Sequence, residues 1–135
     1  MSSVAYFSQM AGNNAFANQR LLSACATLDA AAFAARRVSF FPSLMLTLNH
    51  NLAVDRYYLG ALEGNGGEYE DVAIASPAVL REAQAAEDRR PIAFCENLTD
   101  ARLGAEVVTL RGVDGAVSER VDSLLLHLFQ HQIHH

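Results

Sequence analysis

The sequence predicts an all-α fold, a four-helix bundle with a short extended or hairpin connection before its last helix, and three observations predict it. Apolar residues recur at the three-and-four stride of a helix face in four segments, clusters of turn-forming residues separate those segments, and the one stretch that breaks the stride is brief and rich in β-branched residues. At 135 residues the chain fits one domain, residues 1–135. A chain of that length buries roughly two-thirds of its unfolded surface and needs no covalent staple.

The first helix is expected from about residue 4 to 28, where Phe7, Met10, Ala11, Ala17, Leu21, Ala24, Cys25 and Leu28 share a face. Phe40, Phe41 and Pro42 interrupt, and Ser43 caps a second helix whose stripe is Leu44, Leu48, Leu52, Asp55, Leu59 and Leu62. It stops at Gly64-Asn65-Gly66-Gly67. A third helix reads from Ser76 to about Glu87 with Pro77 in its first turn, and Pro91 either kinks it or separates it from Ile92 to Leu98. Residues 105 to 111 favour extended structure, and residues 112 to 115 supply turn chemistry before Val117. From Ser118, a plausible cap, Val121, Leu124, Leu125, Leu128 and Phe129 restore the helical stride through the last helix.

Charge and cysteine usage exclude several classes. Net charge is −5, and the ten basic residues are all arginine, scattered apart from the pairs Arg36-Arg37 and Arg89-Arg90. Surfaces that track phosphates concentrate positive charge, so no nucleic-acid partner is expected. No apolar run approaches the roughly 18 residues of a membrane span, and the N-terminus has no basic leader followed by an apolar core. Cys25 and Cys95 lie far apart and outside any C-x-x-C spacing, so neither a disulfide framework nor a thiolate zinc knuckle is indicated. A cytoplasmic location follows as the expectation.

Chemistry concentrates in histidine. Four of the five histidines, His127, His131, His134 and His135, fall in the last nine residues. Positions four apart differ by only about 40° around a helix, so His131 and His135 project from one face and can reach one ion, with His127 a turn back on the same side. Neutral imidazoles suit zinc, nickel, copper and iron alike. The remaining histidine, His50, sits in a helix otherwise made of leucine, valine and tyrosine, where an unpaired imidazole is costly to bury. Spacing alone also allows surface or hydrogen-bonded histidines. It allows Asp55 and Arg56 as a solvated edge or an ion pair, a reading favoured over catalysis.

Three segments resemble one family. Thr47-Leu48-Asn49-His50-Asn51-Leu52-Ala53-Val54-Asp55-Arg56-Tyr57-Tyr58 resembles the second-helix signature of the DinB-like (damage-inducible, DinB/YfiT-type) family of proposed metalloenzymes. The stretch from Leu126 to His135 is similar to that family's fourth-helix signature, and Asn14 to Leu22 is similar to its opening helix. Relatives continue past the final histidine with Arg-Gly-Gln, a pattern not present here. The resemblance implies a four-helix bundle, commonly a homodimer, in which one histidine of helix two and a His-x-x-x-His pair of helix four hold a divalent metal. Those positions correspond to His50, His131 and His135. His127 and Asp55 become candidates for supporting the ligands from behind, and Tyr57 or Tyr58 for lining the pocket. Characterised branches include thiol-dependent S-transferases and an isomerase that uses low-molecular-weight thiols. The expected cofactor is therefore a divalent ion, zinc or nickel first, with a possible low-molecular-weight thiol cosubstrate and a small electrophilic substrate. No catalytic residue is assigned. The alternative expectation is a non-catalytic metal- or ligand-binding module of a stress response.

Overall fold

A computed structural model describes residues 1–135. Helix α1 spans Ser3–Cys25, capped by Ser2 Oγ accepting from the Ala5 N–H at 3.2 Å. It ends three residues before the expected limit, where the Thr27 N–H and hydroxyl both turn back to the Ala24 carbonyl. Asp29 then caps a short helix the stride did not reveal, α2 (Ala30–Ala34), which buries Phe33 completely.

Ser43 is the cap of α3 (Leu44–Leu62), its Oγ accepting from the Leu46 N–H at 3.0 Å. Most of the expected stripe is inside: Leu48, Leu52, Asp55, Leu59 and Leu62 are buried, and Leu44 in the first turn is half-buried. Gly64 ends the helix with φ of 80°. At Gly66 a Cβ would meet the Ala61 Cα at 3.1 Å and the Val108 carbonyl oxygen at 3.3 Å, so any larger residue in the turn after α3 would push backbone apart by a few tenths of an ångström.

Helix α4 (Pro77–Glu96) is longer than the sequence suggested. It passes through Pro91, which supplies no N–H to the preceding turn, and so includes most of the Ile92 to Leu98 segment. A short α5 (Asp100–Leu103) leads to β1 (Glu106–Leu110) and β2 (Ala116–Arg120), an antiparallel pair with Val108 opposite Ser118. Ser118 is therefore a strand residue and not the expected cap. Helix α6 (Val121–His134) begins after Arg120 with no side-chain cap, and Asp122 supplies a negative charge to its first turn.

Helix α1 packs against α4 and α6, and α3 packs against the same two, so four long helices form a closed cycle of contacts. The larger core cluster joins Phe7 and Ala11 of α1, Leu59 and Leu62 of α3, Cys95 of α4, and Leu124, Leu125, Leu128 and Phe129 of α6. A smaller one joins Leu22, Cys25, Phe33, Leu48, Leu52 and Leu80. Each fully buried leucine contributes roughly 1.5–3 kcal/mol. Cys25 and Cys95 are both free and buried. No helix is long and apolar enough to cross a membrane.

Candidate metal centre

Helix α3 carries His50 and α6 carries His131 and His135, and the packing of these two helices brings residues 81 positions apart face to face. His50 Nε2 lies 3.0 Å from His131 Nε2. The rings of His131 and His135 have centroids 4.5 Å apart, and those of His50 and His135 5.0 Å apart. One ring nitrogen from each of the three lies within 4.8 Å of the others. The i,i+4 spacing accomplishes this because one helical turn places both α6 imidazoles on the face turned toward α3.

The surroundings of His50 fix its orientation. Asn49, 2% exposed, accepts from the Ile74 N–H at 2.7 Å and donates to the Ile74 carbonyl at 2.9 Å, tying the segment after α3 back onto the helix. In the preceding part of that segment, the Tyr69 hydroxyl stands 3.5 Å from His50 Nδ1. On its other side Phe41 stacks on the imidazole with centroids 4.3 Å apart. The loop bearing Phe41 is closed by the Arg37 N–H donating to the Pro42 carbonyl at 2.8 Å, and by Ser39 and Thr47 hydroxyls donating to the Phe41 carbonyl. Beside it opens a cleft of about 710 Å³ bounded by Arg37, Phe40, Phe41, Leu44, Thr47 and His135.

The imidazoles are held neutral. Burial, then the neighbouring His135, His50, His127 and His134, push His131 down from 6.5 to about 4. Burial and then His135 lower His50, against an opposing pull from Asp71, and burial followed by His134 lowers His135. Neutral rings leave nitrogen lone pairs available for coordination. His131 Nδ1 is also buried without any hydrogen-bond partner, so this donor set has unsatisfied capacity. The 3.0 Å gap matches the chord spanned by two bonds of about 2.0–2.1 Å meeting at roughly 90–100°. Three neutral imidazoles with this spacing fit a divalent ion.

The other candidates separate. His127 is outside the ligand group: it is exposed, Nε2 lies 3.2 Å from the Tyr58 hydroxyl, and its ring runs nearly parallel to that of His131 at 6.3 Å. The Arg111 guanidinium donates to the same tyrosine oxygen at 2.9 Å. Tyr57 donates to the Leu110 carbonyl and borders a different cleft, with Arg56 and Asp71 among its walls.

Asp55 is a correction. Arg56 is exposed as expected, but Asp55 is 2% exposed and makes no ion pair, since it falls at the three-and-four stride of the buried Leu48, Leu52, Leu59 and Leu62. Its Oδ2 accepts from Gln132 Nε2 and, at 2.9 Å, from Gln84 Nε2. Gln84 also donates to Asp88 Oδ1 at 2.8 Å, and Asn18 donates to both oxygens of Asp88 at 3.2 Å. A polar chain thus crosses all four long helices. Sequence reasoning missed Phe41, Asn49, Tyr69, Gln84, Asp88 and Gln132. Gln132 alone left a trace, since it continues the Leu125, Leu128, Phe129 stripe by three residues.

Comparison with curated proteins gives no match. A family model described as "DinB family" matches residues 1–135. That match spans every element that carries the histidines, so the chain belongs to the DinB family.

Proposed function

We propose that this protein is a metal-dependent enzyme in which His50, His131 and His135 hold one divalent ion, zinc or nickel first, for reaction of a small thiol or water with a small electrophile. The observation that carries the reading is the 3.0 Å approach of His50 and His131 across two helices, with His135 in the same group. Facing imidazoles at that distance without an ion satisfy at most one hydrogen bond between them, whereas a shared cation uses both lone pairs. An ion held by these three neutral imidazoles would supply Lewis acidity toward a water or a small thiol.

The chain's own residues do the rest. Phe41 covers one face of His50 and keeps bulk water from it, and Tyr69 stands at its Nδ1. The cleft beside His135 offers apolar walls at Phe40, Phe41 and Leu44 and a guanidinium at Arg37, suited to a small organic substrate. In this reading the closed cycle of α1, α4, α3 and α6 is a single-domain four-helix bundle, cytoplasmic in keeping with its two free cysteines and homodimeric like its relatives.

The test is elemental analysis of untagged protein, paired with turnover of a chlorinated aromatic in the presence of several low-molecular-weight thiols. We expect one equivalent of metal per chain, background metal in His131→Ala, and thiol-dependent turnover lost in the same variant. Background metal in the wild type overturns the reading. Stoichiometric metal without turnover selects the non-catalytic binding module instead.

A further inference from the structure

The apolar anchors of α6 all lie at or before Phe129. Val121, Leu124, Leu125, Leu128 and Phe129 are buried, whereas Gln130, Ile133, His134 and His135 are exposed. Both α6 members of the histidine group therefore sit on a stretch that the apolar core does not hold. Within it Gln132 is half-buried and lies on the same face as Phe129. Its side-chain amide reaches across to Asp55 of α3.

Asp55 is a poor choice for stability. A buried carboxylate without a cation costs more than an apolar residue of similar size, and its Oδ1 is buried with no partner. Yet its Oδ2 is fixed from the α4 side by Gln84, which is itself fixed by Asp88. The acceptor that Gln132 meets is accordingly held from two helices. Resting on the ligand reading above, we propose that Asp55, acting through Gln132, is a positioning residue for the histidine centre: their bond sets the rotation of the last turn of α6 so that His131 and His135 face His50.

The geometry is demanding. An imidazole nitrogen roughly 5–6 Å from the helix axis moves about 2 Å when the turn rotates by about 20°. That displacement equals a whole zinc–nitrogen bond of about 2 Å.

The experiment measures zinc affinity by chelator competition for the wild type, Gln132→Leu, Asp55→Asn and Asp55→Ala. Urea midpoints and amide hydrogen exchange of the metal-free proteins accompany it. Removing such a support weakens metal binding by about 10- to 100-fold. That loss is expected for Gln132→Leu with at most a modest fall in its urea midpoint from the hydrogen bond given up, whereas a merely structural role would lower the midpoint and leave zinc affinity unchanged. Asp55→Asn keeps an oxygen that accepts both glutamine bonds, so it retains more affinity than Asp55→Ala. Amides of the last turn of α6 should exchange faster in metal-free Gln132→Leu. Gln132→Leu binding zinc like the wild type overturns the proposal, as does Asp55→Asn binding as weakly as Asp55→Ala. If the wild type binds no zinc, the ligand reading fails separately, and unchanged exchange in metal-free Gln132→Leu then overturns the positioning role.

Discussion

Replacing Asp55 with asparagine is expected to stabilise the metal-free protein above neutral pH and to change it little in mild acid. Burial pushes the Asp55 carboxyl up from 3.8 to about 7, with hydrogen bonds from Gln132 and Gln84 pulling the other way and Asp88 and Glu87 adding to the rise. The fold therefore prefers the neutral acid. An unfolded aspartate releases its proton near 3.8 and the folded one near 7, so between those values the native state binds more protons than the unfolded chain. Stability from this group is complete below the lower value, falls as pH rises through the window, and is gone above the upper one.

A rise from 3.8 to about 7, at about 1.4 kcal/mol per pH unit, is worth about 4 kcal/mol across the window. Asparagine imitates the neutral acid, and its Oδ1 accepts from Gln84 and Gln132 as Asp55 Oδ2 does. The measurement is urea unfolding of both metal-free proteins from about pH 4.5 to pH 8.5, reading the difference between them. With a slope of about 2 kcal/mol per molar urea, the asparagine variant gains roughly 2 M in midpoint at the alkaline end. His131 drives stability the other way: its depressed value of about 4 gives stability that is lost as pH falls from 6.5. That effect is common to both proteins and cancels in the difference. Parallel curves, or a gap that is widest in acid and closes in alkali, would refute the reasoning.

Leu52→Ala, at a fully buried position in the smaller core cluster, is expected to cost about 2–5 kcal/mol by urea unfolding, with metal stoichiometry unchanged under native conditions. Ser43→Ala removes the acceptor for the Leu46 N–H at the start of α3 and is expected to cost about 1 kcal/mol. A destabilisation above that of Leu52→Ala would mean that Ser43 holds more than a cap.

The elements with long periodic faces were legible in the sequence. Ser43 and the stripe from Leu48 to Leu62 announced α3 because capping and apolar spacing are local properties. Helix α2 escaped because five residues are less than two turns and carry no period. The start of α6 was misplaced because Ser118 is equally good chemistry for a cap and for a strand residue, and only its pairing with Val108 decides between them. At the site, His131 and His135 were visible as a spacing, while His50 reached the group through family resemblance. The polar chain through Asp55, Gln84, Asp88 and Gln132 was invisible for a physical reason. A charged residue in a leucine stripe reads as a helix edge until the partner helices are known, and the partners here lie 29 and 77 positions away.

Those partners are all neutral amides, and this bears on how the centre works. An arginine facing Asp55 would hold the carboxylate ionised and would place a positive charge inside the bundle, near the proposed metal site. Glutamine donors satisfy the oxygen without adding charge, so the interior carries carboxyls and neutral imidazoles and no buried guanidinium. Arginine instead pairs at and near the surface, Arg90 with Glu63 and with the buried Glu87, Arg111 with Glu119, and Arg120 with Asp122. Burial of Asp88 likewise raises it, to about 6, so neither interior acid is held ionised by a neighbouring cation. The same absence of a cation beside Asp55 that makes the metal-free bundle pH-sensitive thus leaves no fixed positive charge to oppose the proposed divalent ion.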